Sequence, residues 1–149
     1  MSTPHPDDRV ETVVEKAEFV EACLEILATK QSLTDEEYRD DREQRDVVER
    51  RFEKMTEACL DVARMLLKDL DGSAPNSNAA AMHHLGEHGV LSDDTAEKMA
   101  EAALFRNVLA HEYGDVLDHD VVYEALQDLR RYRDFLHEIR AHLEDVGSL

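Results

Sequence analysis

The stretch FRNVLAHEYGD, residues 105–115, carries Arg106, His111 and Tyr113 in close succession. The imidazole of His111 can take or give a proton near neutrality, because an unperturbed histidine titrates at about pH 6.5. Arg106 stays charged and presents a planar fork suited to phosphate oxygens. Together these groups suit metal-free RNA cleavage, in which a 2′-hydroxyl attacks the adjacent phosphorus and the 5′-oxygen leaves. That reaction needs a base, an acid and a cation on the phosphorane, whereas one chain supplies a single histidine here. A two-fold dimer that brings two copies of the motif together would supply the missing group. The same residue types also suit a helix C-terminus, where cations meet the macrodipole and cap free carbonyls. Spacing alone leaves both readings open.

Convergence depends on the helix beneath the motif. Positions five apart on an uninterrupted helix are turned about 140° from each other, so Arg106 and His111 could hardly share a ligand there. A helix that stops near Ala110 lets the chain fold back, and Gly114 with the acidic run Asp115–Asp118 provides the interruption.

The rest of the chain reads as helical, with no period-2 run of useful length. Val10, Val13, Val14, Ala17, Val20, Leu24 and Leu27 recur at helical spacing and predict a first helix over 7–30. Thr34 with Glu37 is a capping-box signature that opens a second helical region, bent near 40–42 and running to about residue 70. DGSAPNSN then makes a loop, a short helix follows over 77–87, and Gly89 stops it. Ser92 caps a fourth helix that bears the motif on its last turn, and Asp118 is the expected N-cap of a fifth helix reaching about residue 145. The expected architecture is all-α, an up-and-down bundle of four main helices plus one short helix, with residues 1–149 forming one domain.

Composition narrows the function classes. The net charge of −18, from 35 acidic against 17 basic side chains, argues against general nucleic-acid affinity, which is driven by cations displacing counterions. Acidic residues are spread along the whole chain and only five basic residues are lysine, a distribution resembling that of proteins from salt-loving archaea. An electropositive site must therefore be local, drawn from Arg50, Arg51, Arg106, Arg130, Arg131 and Arg133. No apolar run approaches the roughly 20 residues that span a bilayer, and the acidic start MSTPHPDDRVE lacks a signal core. A cytoplasmic protein is expected. Cys23 and Cys59 sit at helical spacing among apolar residues and read as reduced core thiols.

With these elements in place, the chain resembles the HEPN superfamily, whose hallmark is arginine, four residues, histidine, one residue, and tyrosine or a similar residue. Within it the chain is similar to the HepT toxins, in which asparagine follows the arginine, as Asn107 does here. The segments VVERRFEKMTEACLDVARMLL, GVLSDD and FRNVLAHEYGDVLDHDVVYEAL carry the likeness. The resemblance implies a homodimeric ribonuclease toxin whose cleft lies at the dimer interface. It also implies a minimal nucleotidyltransferase antitoxin that transfers AMP from ATP to the motif tyrosine. On that reading Arg106 holds the scissile phosphate, His111 is the general acid or base, and Tyr113 accepts AMP. Asn107 supports the turn or contacts substrate. Asp61 orients Arg106 or His111, or is an ordinary helix-surface carboxylate. A catalytically silent subunit that binds a nucleotidyltransferase or nucleotide through the same cleft is the alternative.

Neither a metal nor a cofactor is expected. His83, His84 and His88 in MHHLGEH lack a third cysteine or histidine ligand at suitable spacing. His119, His137 and His142 are expected to face solvent or to seal the end of the last helix, and LRRYRDFLHEIR either lines a substrate path, docks the antitoxin or is a solvated face.

Overall fold

The computed structural model describes residues 3–111 and 119–149, with the side chains of Val108, Ala110 and His111 outside that description. Among the described residues the chain forms seven helices and no strand: α1 (Asp7–Lys30), α2 (Asp35–Asp40), α3 (Arg42–Leu70), α4 (Asn78–Glu87), α5 (Asp93–His111), α6 (His119–Gln127) and α7 (Arg130–Asp145). Gly114 and the expected cap Asp118 lie outside the described residues.

Local chemistry sets most of the boundaries. Thr34 and Glu37 form the reciprocal capping box, with Glu37 N donating to Thr34 Oγ1 at 3.1 Å and Thr34 N to Glu37 Oε1 at 2.9 Å. The expected bend is a full break at Asp41, whose carboxylate accepts from Gln44 N and opens α3. Ser77 caps α4, and Ser92 accepts from Thr95 N at the start of α5. One long last helix was expected, but the chain breaks at residues 128–129. There Asp128 turns its carboxylate onto Arg130, accepting from the backbone N–H at 3.1 Å and from the guanidinium at 2.9 and 2.7 Å. A short acidic side chain that bonds backbone two residues on favours a turn over helix.

α3 is the spine. Val48, Phe52, Met55, Cys59, Ala63, Leu66 and Leu67 form its buried stripe, and α1, α4, α5 and α2 all pack on it. Cys23 and Cys59 are buried free thiols, as expected, and burial pushes both thiols up in pKa. Phe52 links the spine to both later helices, meeting Phe105 edge-on at 5.8 Å and Tyr132 at 6.2 Å. The fully buried Tyr132 bonds Thr56 Oγ1 at 2.7 Å, and burial pushes its phenol up to about 12.

α4 and α5 run close together because Gly86 faces Ala96. A Cβ built on Gly86 would come within 2.8 Å of the Ala96 Cβ. Both atoms are fixed to helix backbones, so no rotamer relieves the contact. Gly86→Ala should therefore be destabilising, because about 1–3 kcal/mol of overpacking outweighs the roughly 1 kcal/mol gained in helix propensity. A lower midpoint in chemical denaturation checks this, and an unchanged or raised midpoint contradicts it.

The N-terminal segment is tied down by histidines. His5 N donates to Ser148 Oγ, His5 Nδ1 lies 2.9 Å from Asp69 Oδ2, and His5 Nε2 lies 2.8 Å from His142 Nε2. Arg9 donates to the same Asp69 oxygen. Of the three histidines expected to face solvent or seal the end of the last helix, His137 is exposed, His142 is half-buried in this relay on the last turn of α7, and the His119 ring packs edge-on to the buried Tyr38. Burial and the neighbouring His5 lower the His142 pKa, partly offset by Asp145. The unfolded chain thus takes up this proton first. His142 contributes stability that is present above about pH 6.5 and is lost as pH falls through its lower folded value. Subtracting the stability-versus-pH curve of His142→Gln from that of wild type should show this loss on the acid side, and a flat difference would refute it.

Candidate functional site

α5 carries the motif, and α3 is the surface against which its arginine is set. Phe105 fixes the register by packing on Phe52. The next residue, Arg106, reaches α3 and places its Nη2 3.5 Å from Glu57 Oε2. Glu57 is shared with Lys54, whose Nζ lies 3.7 Å from the same oxygen. The Arg106 side chain is only 23% exposed, and its Nε is buried without a hydrogen-bond partner among the described residues. Among the described residues the charged group is thus held by one long contact with a donor left open, an arrangement suited to binding an anion.

The other expected site residues are placed as follows. Asn107 is half-buried on α5. α5 runs to His111, within one residue of the expected stop near Ala110, and residues 112–118 lie outside the described residues. Backbone positions 106 and 111 are therefore turned about 140° apart on one continuous helix. The His111 side chain and Tyr113 lie outside the described residues. Asp61 pairs with Lys16 of α1 at 3.1 Å, and the carboxylate beside Arg106 is Glu57, one turn earlier on α3. Reading the sequence for an aspartate overlooked Glu57, although its place four residues before Asp61 puts it on nearly the same face of α3.

Few cations surround the site. Arg130 is spent on Asp128, and Arg131 lies over the neighbouring Tyr132 ring with its Cζ 5.6 Å from the centroid. A groove of about 540 Å³ between α5, α6 and α7 is lined by Lys98, Phe105, Val121 and Arg131, but also by Glu101 and Asp134. Arg133 instead borders a groove between α1 and α7 on another part of the surface. The arginine-rich run is therefore divided between two surfaces and forms no continuous positive track.

The profile of the family described as "Ribonuclease HepT-like" matches residues 19–139. The chain belongs to this family. A tRNA nuclease HepT from Aphanizomenon flos-aquae (strain 2012/KM1/D3) is 25% identical over 128 residues, covering 86% of this chain and 87% of the relative. Solved structures share the fold. A chain of a toxin–antitoxin crystal structure with AMP-PNP superposes with a TM-score of 0.80 at 18% identity, covering 88% of this HepT-like chain and 98% of the other. A chain from the complex of a tri-AMPylated Shewanella oneidensis HEPN toxin with its MNT antitoxin gives 0.78 at 18% identity, over 87% and 97%. YutE, a cytosolic protein of unknown function from Bacillus subtilis, gives 0.78 at 20% identity, over 93% of both chains. The HepT-like chain thus has the all-α HEPN toxin fold, and no helix of its described residues is long and apolar enough to cross a membrane.

The geometry separates function from stability at adjacent positions. Arg106→Ala removes one long, partly exposed ion pair and an unpaired donor, and should change stability by less than about 0.5 kcal/mol. Phe105→Ala empties part of the α3–α5 packing and should cost about 2–3 kcal/mol. Urea denaturation of the two variants checks the contrast, and equal losses would contradict it.

Proposed function

We propose that this HepT-like chain is the toxin of a toxin–antitoxin pair, a single-domain cytoplasmic endoribonuclease that cuts RNA without a metal and works as a homodimer. The observation that carries the reading is Arg106, a motif guanidinium held against α3 with an unfilled buried donor in a family of ribonucleases. One imidazole takes the proton of the 2′-hydroxyl as that oxygen attacks phosphorus, and the 5′-oxygen leaves with a proton from the partner's imidazole. The products are a 2′,3′-cyclic phosphate and a free 5′-hydroxyl. Arg106 stabilises the charge on the phosphorane, which is where preorganised cations are most effective. Glu57 orients Arg106 in the free protein and yields it to the scissile phosphate. Asn107, next to Arg106 on α5, contacts substrate or supports the turn.

Two features support assembly of the cleft from two chains. One is the angular separation of positions 106 and 111. The other is a pair of exposed apolar side chains near the motif, Leu104 on α5 at 58% exposure and Val121 on α6 at 48%.

The antitoxin partner is a minimal nucleotidyltransferase, by analogy with the complex of the AMPylated Shewanella toxin and its MNT antitoxin. The Tyr113 oxygen attacks the α-phosphorus of ATP, an O–P bond forms, and pyrophosphate leaves. The attached phosphate stands two residues from His111, where it blocks RNA sterically and pairs with Arg106. Since a relative is named a tRNA nuclease, tRNA is the first substrate to test.

Wild type should cleave tRNA in concentrated salt with a chelator present, and His111→Ala should be slower by at least about 100-fold. Equal rates would leave only the silent binding subunit. Incubation with antitoxin and ATP should add AMP to the wild-type mass but not to Tyr113→Phe, and an adduct on Tyr113→Phe would place the modification elsewhere.

A further inference from the structure

Away from Arg106, three side chains converge where α3 ends and α4 packs. His84 and His88, one helical turn apart, both direct Nε2 at Asp71 Oδ2, each at 2.8 Å. Their rings stand edge-on with centroids 5.2 Å apart. The three donor atoms lie within 4.8 Å of one another. Asp71 is the C-cap of α3, and its other oxygen accepts from Ser73 N at 2.8 Å, which fixes the carboxylate. Gly72, at φ +73°, makes the reversal that brings this loop under α4. On the far side of His84, Nδ1 lies 3.1 Å from Glu87 Oε2.

No cysteine or further histidine is suitably spaced around the pair in sequence; the third ligand is an aspartate. Asp71 lies 13 residues before His84, across a glycine turn, and only the fold brings them together.

His84 decides what this cluster is for. Both of its nitrogens face carboxylates, Nε2 towards Asp71 and Nδ1 towards Glu87. With a divalent cation on Nε2, Nδ1 carries the proton and donates it to Glu87, which is the carboxylate–histidine–metal arrangement that sets tautomer and ring orientation in metal sites. The carboxylate of Asp71 supplies the negative charge. From these contacts we infer that Asp71, His84 and His88 form a site for a zinc-class divalent ion, with Glu87 supporting His84 and water completing the coordination.

The fit requires movement of side chains only. Bonds of about 2.0–2.1 Å around a four-coordinate ion put neighbouring ligand atoms about 3.3 Å apart, so the present 2.8 Å contacts open by roughly 0.5 Å and the two imidazole nitrogens, within 4.8 Å of each other, settle to the same spacing. All three side chains are close to 30% exposed, which lets the rings turn and lets an ion enter from solvent. Glu57, which marks the arginine site, is 14 residues before Asp71 on α3, about 20 Å along the axis. The ion therefore pins the α3–α4 connection and takes no part in chemistry at Arg106.

The test uses tag-free full-length protein, stripped with chelator and titrated with Zn²⁺ by calorimetry. Wild type should bind one equivalent. His84→Ala and His88→Ala should each weaken binding at least 30-fold, and Glu87→Gln roughly tenfold. His83→Ala and His142→Ala should bind as wild type does. Co²⁺ in place of zinc should give the intense visible bands of four-coordinate geometry in wild type and not in His84→Ala, read on samples whose helical circular dichroism is unchanged. Absence of saturable zinc binding to wild type, or full binding by a His84→Ala/His88→Ala double variant, would overturn the assignment.

Discussion

Everything in this fold is referred to one long helix. α3 has a continuous apolar stripe from Val48 to Leu67, and four other helices use it as their common surface. Phe52 joins three helices, since it touches Phe105 from α5 and Tyr132 from α7. Fully burying a side chain of that size is worth about 2–3 kcal/mol, a sizeable fraction of the roughly 5–15 kcal/mol by which a domain remains folded. Because the stripe is rigid, whatever lies on its polar edges is positioned rigidly as well. Glu57 on one such edge meets Arg106, and Asp71 at the far end meets the α4 histidines.

The regular elements were legible from the sequence because their physics is local. Apolar spacing marked α1 and α3, the Thr34–Glu37 pair marked the start of α2, and Ser92 marked the start of α5. The break at residues 128–129 was hidden because it depends on Asp128 choosing the backbone and guanidinium of Arg130 over solvent, inside a sequence that keeps helical periodicity. Side-chain partnerships across helices were less legible still. The His5–His142 contact spans 137 positions and the Arg106–Glu57 contact spans 49, and no spacing rule links such pairs before the fold is known. Family resemblance pointed to Asp61 as a partner of Arg106 or His111; the carboxylate beside Arg106 is Glu57, one turn earlier on the same helix, while Asp61 pairs with Lys16 and the His111 side chain lies outside the described residues.

A net charge of −18 on an RNA-cutting fold is less contradictory than it first looks. Binding that relies on counterion release weakens steeply with salt, whereas a few directed hydrogen bonds from a desolvated arginine lose much less. The division of the α7 arginines between Asp128, the Tyr132 ring and a separate groove fits the same economy. On the proposed reading a single oriented guanidinium takes the place of a basic patch, while the carboxylates keep the remaining surface hydrated.

The central claim is that the cleft is built from two chains, and a mixing experiment addresses it most directly. Wild-type chains and His111→Ala chains are each purified, then unfolded and refolded together, with native mass spectrometry confirming the mixed dimer. The account predicts that the mixed dimer, which holds one imidazole where the reaction uses two, cuts RNA nearly as slowly as the His111→Ala dimer. A mixed dimer that keeps half of the wild-type rate, or a wild-type chain fully active as a monomer, would contradict it.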